Sequence, residues 1–122
     1  MKPSIWKDFS FEAAHRLPNV PEDHPCSRMH GHSYRFRLEA SGDLDPTLGW
    51  VMDFAFLGAL ADQLILRELD HQTLNDVKGL ENPTAEVLAL WILERVKLAE
   101  IGQRVTAVEV YETPKCGVRV EV

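Results

Sequence analysis

Two cysteines in 122 residues, Cys26 and Cys116, are too few for a disulfide framework. The core must therefore hold without staples, and the thiols suit a reducing compartment. Long apolar runs are missing too: none approaches the roughly 20 residues that cross a bilayer. The opening MKPSIWKDF has neither an apolar h-region nor a small-residue cleavage site. These absences predict a cytoplasmic chain with no membrane partner. Positive charge is also in short supply, and a net charge of −6 argues against a nucleic-acid surface. The imbalance is local. Residues 1–40 hold six basic and five acidic side chains, residues 41–100 four and eleven, and residues 101–122 three and three. The terminal segments can thus meet an anionic small molecule without a strong opposing field. No repeat or low-complexity tract is visible, and 45% hydrophobic with 26% charged residues fits one domain over 1–122.

What is present is ordered by periodicity. FSFEAAHRL alternates, with Phe9, Phe11, Ala13 and His15 on one face and Ser10, Glu12, Ala14 and Arg16 on the other, as a half-buried strand does. PNVPEDHP, with three prolines, reads as a stiff loop. HGHSYRFRLEA alternates again, with His30, His32, Tyr34, Phe36 and Leu38 sharing a face. Asp53 is placed to cap a helix over FAFLGALADQLILREL, and Asn82 a second one with Pro83 at its first position. LDHQTLNDVKGLE between them reads as a polar connection, and RVTAVEVYE and GVRVEV close the chain as two strands around TPKC. The order β-β-α-α-β-β predicts an α+β fold: a four-stranded antiparallel sheet with both helices on one face.

Chemistry-bearing residues gather in CSRMHGHSYRF. His30 and His32, two apart on a strand, project from one face, and His15 joins them if the two strands form a hairpin. Gly31 between them would permit close backbone packing. Three imidazoles with an open fourth position make a catalytic zinc arrangement; the plainer alternative is hydrogen-bonded structural histidines. Cys26, four residues before His30, has three readings: a fourth ligand that closes the site, a reactive thiolate beside a metal, or an inert buried thiol. Asp70 and His71 offer a carboxylate that can orient an imidazole at a helix end. Glu112 is either a functional carboxylate or solvated surface. No role attaches to His24 or Cys116.

Taken together, FSFEAAHRL, CSRMHGHSYRF, GWVMDFAFL, LDHQTLND, ENPTAEVLALWI and VYETPKCGV resemble the 6-pyruvoyl-tetrahydropterin synthase superfamily nearly end to end. Within it they look most like the bacterial 6-carboxy-5,6,7,8-tetrahydropterin synthases of queuosine biosynthesis; the short SRM interval between Cys26 and His30 carries that choice. The resemblance implies Zn2+ held by His15, His30 and His32, and a catalytic set of Cys26, Asp70 and His71. It implies Glu112 as the pterin anchor and Thr84 as a further pterin contact. The implied substrate is 7,8-dihydroneopterin triphosphate, converted to 6-carboxy-5,6,7,8-tetrahydropterin, acetaldehyde and triphosphate. The implied architecture is the tunnelling fold (T-fold), a homo-oligomer whose chains join by sheet edges into a barrel, as trimers stacked into hexamers with sites between subunits. Three alternatives remain: 6-pyruvoyl-tetrahydropterin synthesis, a non-catalytic zinc-stabilised module, and a zinc hydrolase.

Overall fold

Strands β1 (Ser4–His15) and β2 (His30–Ser41) pair antiparallel along their whole length, from Ser4 opposite Ser41 to His15 opposite His30. The computed structural model describes residues 2–122. Alternation decides which side faces inward: Phe11, Ala13 and His15 on β1, and Tyr34, Phe36, Leu38 and Ala40 on β2, are buried. Phe36 and Leu38 have no exposed surface, and each such side chain contributes about 1.5–3 kcal/mol by leaving water.

A continuous helical stretch follows: α1 (Phe54–Ala61), a π-helical segment (Asp62–Leu66) and the last turn α2 (Arg67–Leu69). Asp53 caps it as expected, its Oδ1 accepting from Ala55 N at 2.8 Å. Leu57, Ala61, Ile65 and Leu69 form its fully buried column. The second long helix, α3 (Ala85–Val96), buries Leu88, Ala89, Ile92 and Val96. Its cap differs from the sequence expectation. Thr84, not Asn82, is the N-cap, with Oγ1 accepting from Val87 N at 3.1 Å. Helix starting at Pro83 would direct its carbonyl to Val87 N; that carbonyl instead accepts from His15.

Strands β4 (Val105–Thr113) and β5 (Cys116–Glu121) complete the antiparallel part of the sheet. The sheet has five strands rather than four, in the order β3-β1-β2-β4-β5. The addition is β3 (Gln72–Thr73), two residues lying parallel to β1 beside Ala13 and Ala14. The connection after α2 is also less polar than expected, since Leu74 and Leu80 within it are fully buried. The sheet is open. Within it, Asp8, Arg37, Glu109 and Arg119 stand opposite one another across β1, β2, β4 and β5. They form a row of alternating charge on the face away from the core. Asp8 accepts from Arg37 Nε at 2.7 Å and from Arg35 Nη1 at 2.9 Å.

Candidate metal centre and active site

The β1–β2 register brings His15 opposite His30, and His32 lies two residues on along the same strand face. Ring centroids are 4.6, 5.1 and 5.0 Å apart, and one ligand nitrogen from each ring falls within 4.8 Å of the others. The sequence-predicted triad is therefore assembled. Gly31 is not needed for close packing: a Cβ there would meet the Ala13 carbonyl at an ordinary 3.6 Å.

The outer ring nitrogens set the tautomers. His15 Nδ1 lies 2.8 Å from the Pro83 carbonyl and His30 Nδ1 2.7 Å from the Arg28 carbonyl. A carbonyl only accepts, so each Nδ1 donates its hydrogen, leaving a lone pair on each Nε2 of a neutral ring. Those two Nε2 atoms face each other at 3.0 Å, a contact that has no hydrogen to share when both rings are neutral. His32 Nε2 is buried and has no hydrogen-bond partner. Burial also holds His15, 1% exposed, below the ordinary histidine pKa. Two facing nitrogens whose outer partners are carbonyls, with the unpartnered His32 Nε2 beside them, suit a cation, and neutral imidazoles are ordinary ligands for zinc and similar metals. These residues fit a metal ion.

Around the triad stand groups that the sequence did not single out. The Tyr34 hydroxyl lies 3.2 Å from His15 Nδ1, and burial pushes its pKa well above the usual tyrosine value. Its signal was present, since Tyr34 shares the inward face with His30 and His32. The Pro83 and Arg28 carbonyls had none, because backbone acceptors have no residue signature.

Glu112 follows the inward-facing Val108 and Val110 on β4 and ends with Oε2 3.9 Å from His32 Nε2. It also lines a cleft of about 360 Å³ together with Leu17, Thr84, Glu86 and Val118. Glu112 and Thr84 thus share one depression at the edge of the histidine cluster. Cys26 lies on a 3₁₀ turn (Pro25–Ser27), half-buried and free. Its sulfur is outside the group of gathered ligand atoms, and it lines neither this cleft nor the one below.

Asp70 and His71 follow α2 directly. Asp70 Oδ1 accepts from Glu12 N at 3.0 Å and lies 3.0 Å from His71 Nδ1. The Glu12 N–H, with the His71 imidazole second, holds the Asp70 carboxyl below its usual range. His71 N donates in turn to the Glu12 carbonyl. His71 has φ 61°, a left-handed conformation that disfavours a non-glycine residue and concentrates at functional sites. Its ring is 78% exposed and borders a second cleft of about 520 Å³ with Glu12, Gly31, His32 and Ser33. The expected carboxylate–imidazole dyad is formed. It shares a cleft with His32, while Glu112 and Thr84 occupy the other.

Comparison with known proteins gives the chain its relatives. The chain is 47% identical over 114 residues to a 6-carboxy-5,6,7,8-tetrahydropterin synthase of Synechocystis sp., covering 89% of this chain and 85% of that protein. It is 34% identical over 122 residues to a dihydroneopterin monophosphate aldolase of Pyrococcus furiosus, covering 99% of each. The solved 6-pyruvoyl tetrahydropterin synthase of Caenorhabditis elegans superposes with a TM-score of 0.90 at 27% identity, over 100% of this chain and 96% of that one. A family model described as 6-pyruvoyl tetrahydropterin synthase matches residues 4–122, from the start of β1 to the last residue; the chain belongs to that family.

Proposed function

We propose that the chain is a zinc-dependent lyase, a 6-carboxy-5,6,7,8-tetrahydropterin synthase of queuosine biosynthesis, acting in the cytoplasm as a trimer or hexamer. It takes 7,8-dihydroneopterin triphosphate and water to 6-carboxy-5,6,7,8-tetrahydropterin, acetaldehyde and triphosphate. The observation that carries this reading is the unpartnered His32 Nε2, aimed into a three-imidazole cluster 3.9 Å from a carboxylate that lines an adjoining cleft. The cyanobacterial relative, at 47% identity, supports the carboxy product over the pyruvoyl one.

Each residue then has a task. His15, His30 and His32 hold the zinc, which when bound supplies a Lewis acid for the hydroxylated side chain of the substrate. Glu112 accepts the paired amino and ring N–H groups of the pterin, a two-donor edge that suits a carboxylate. Thr84 accepts from the α3 backbone with its hydroxyl oxygen, which leaves the hydroxyl hydrogen and one lone pair for a ligand. Cys26 takes a carbon-bound proton, and His71, oriented by Asp70, handles the opposite transfers. An exposed His71 on one cleft and Glu112 on another support a site completed between copies of the chain. Sheet edges left open at β5 and along β1 support their joining into a barrel, which removes edges.

Mass spectrometry of products from 7,8-dihydroneopterin triphosphate tests the reading. Carboxypterin with acetaldehyde is expected. A pyruvoyl product would reassign the chain within its family, and phosphate release that leaves the hydroxylated side chain and the dihydropterin ring unchanged would refute lyase action.

A further inference from the structure

The Cys26 turn is held at three points. The Cys26 carbonyl accepts from Leu17 N at 2.8 Å, two residues past His15. Arg28, at the end of the turn, gives its carbonyl to His30 Nδ1. The third point is a side chain. His24 is the N-cap of the turn, in extended conformation (φ −70°, ψ 134°), and its Nδ1 accepts from Cys26 N at 3.0 Å. The His24 backbone is itself fixed, with N donating to the Pro21 carbonyl at 2.9 Å and O accepting from Ser27 N at 3.0 Å. Ser27 Oγ donates to the Glu22 carbonyl at 2.8 Å.

We propose that His24 is a positioning residue for the Cys26 thiol, acting through this cap. The Leu17 and Arg28 contacts brace the turn against the two histidine-bearing strands, the first through backbone alone and the second through the His30 ring. Of the two hydrogen bonds that hold the Cys26 backbone itself, only the cap uses a side chain. N-caps are ordinarily Ser, Thr, Asp or Asn, whose short side chains offer an oxygen. A histidine does the same job only with its hydrogen on Nε2 and a lone pair on Nδ1. Pro25, next in the chain, has no N–H, so Cys26 N is the first donor the turn presents, and His24 takes it. The turn is too short for helical cooperativity to hold its shape. Loss of the cap therefore releases the residue that bears the thiol.

This inference rests on the reading of Cys26 as catalytic, and the test separates the two. His24→Ala and His24→Asn are compared with the unchanged protein in turnover, zinc content and iodoacetamide alkylation of the Cys26 peptide. Alkylation of Cys116 in the same samples serves as internal reference. The Ala variant is expected to keep its zinc and its KM, to lose kcat by up to about thirtyfold, the most that the stability cost of a lost cap corresponds to, and to alkylate at Cys26 severalfold faster. The Asn variant, with an oxygen in place to accept, is expected to match the unchanged protein in all of these. Equal Cys26 alkylation in the three proteins overturns the cap, and an Asn variant as impaired as Ala overturns positioning through it. If the unchanged protein does not turn over the pterin triphosphate, the functional reading fails, and alkylation alone decides for His24.

Discussion

His15 and His30 each have a backbone carbonyl behind the ring, whereas His32 presents a buried nitrogen with no hydrogen-bond partner. A buried polar atom left unmatched costs about 1–3 kcal/mol, so without metal His32 is a burden on the fold. His32→Ala is thus expected to abolish zinc content and turnover while leaving the metal-free protein no less stable to heat. Atomic absorption and thermal melts check both; full zinc occupancy in the variant would remove His32 from the ligand set. Cys26 stands outside the ligand group, so Cys26→Ala should keep zinc and fold and lose about 10²–10⁴-fold in turnover, the range of a general base. Zinc lost along with activity would make the thiol a ligand. At Glu112 the carboxylate is partly sheltered, 26% exposed. Glu112→Gln should weaken binding of a simple pterin such as biopterin by roughly 10- to 150-fold, as loss of a charged hydrogen bond does. Calorimetric titration measures it, and unchanged affinity would sink the anchor role.

Among the elements, the first helix is the most informative. Its fully buried column repeats every fourth residue, Leu57, Ala61, Ile65 and Leu69, where an α-helix of 3.6 residues per turn would drift away. The π-helical segment Asp62–Leu66 absorbs that drift, and Arg95 Nε caps the Leu64 carbonyl within it at 3.1 Å. Such a segment amounts to one residue inserted in an α-helix, a feature frequent at functional sites. Here it carries the chain one step further before Asp70 meets Glu12. Deleting the exposed Gln63 should let the helix close as regular α, stay folded and keep zinc. The helix end would draw back about 1.5 Å, one residue's rise, parting Asp70 from Glu12 N and removing most turnover. A fully active deletion would show that the insertion does not position the dyad.

The elements also show how far the sequence could be read. Two alternating strands sufficed to bring His15, His30 and His32 together, because strand period and hairpin register are properties of side-chain pattern. The extent of the first helix was legible from Asp53 and its apolar stripe, but its π segment was not, since Leu60 and Leu64 fit an α period as well. Asn82 misled because Pro83 turned its carbonyl to a histidine distant in sequence. Strand β3 left no trace: it is two residues long and pairs by backbone alone.

On the scale of the molecule, both helices cover one sheet face, and the other face is fastened by charge. The Arg37 guanidinium, with Arg35 beside it, holds the Asp8 carboxyl below its usual range. A carboxylate with a lowered folded pKa stabilises fully above its unfolded value, near pH 4, and loses that contribution as pH falls through the lower folded value. Asp8→Asn should therefore melt below the unchanged protein at pH 7, with the gap closing as the pH drops under about 4. A gap independent of pH would exclude ionised Asp8 as its source. The register of the hairpin has one more consequence, in time rather than in space. All three imidazoles lie between positions 15 and 32, joined by the loop 16–29, so a chain emerging from the ribosome carries every ring of the proposed metal site before either helix exists. The Pro83 carbonyl, which accepts from the His15 ring at Nδ1, emerges about fifty residues after His32. The nascent chain gains the three rings early and the brace that orients one of them late.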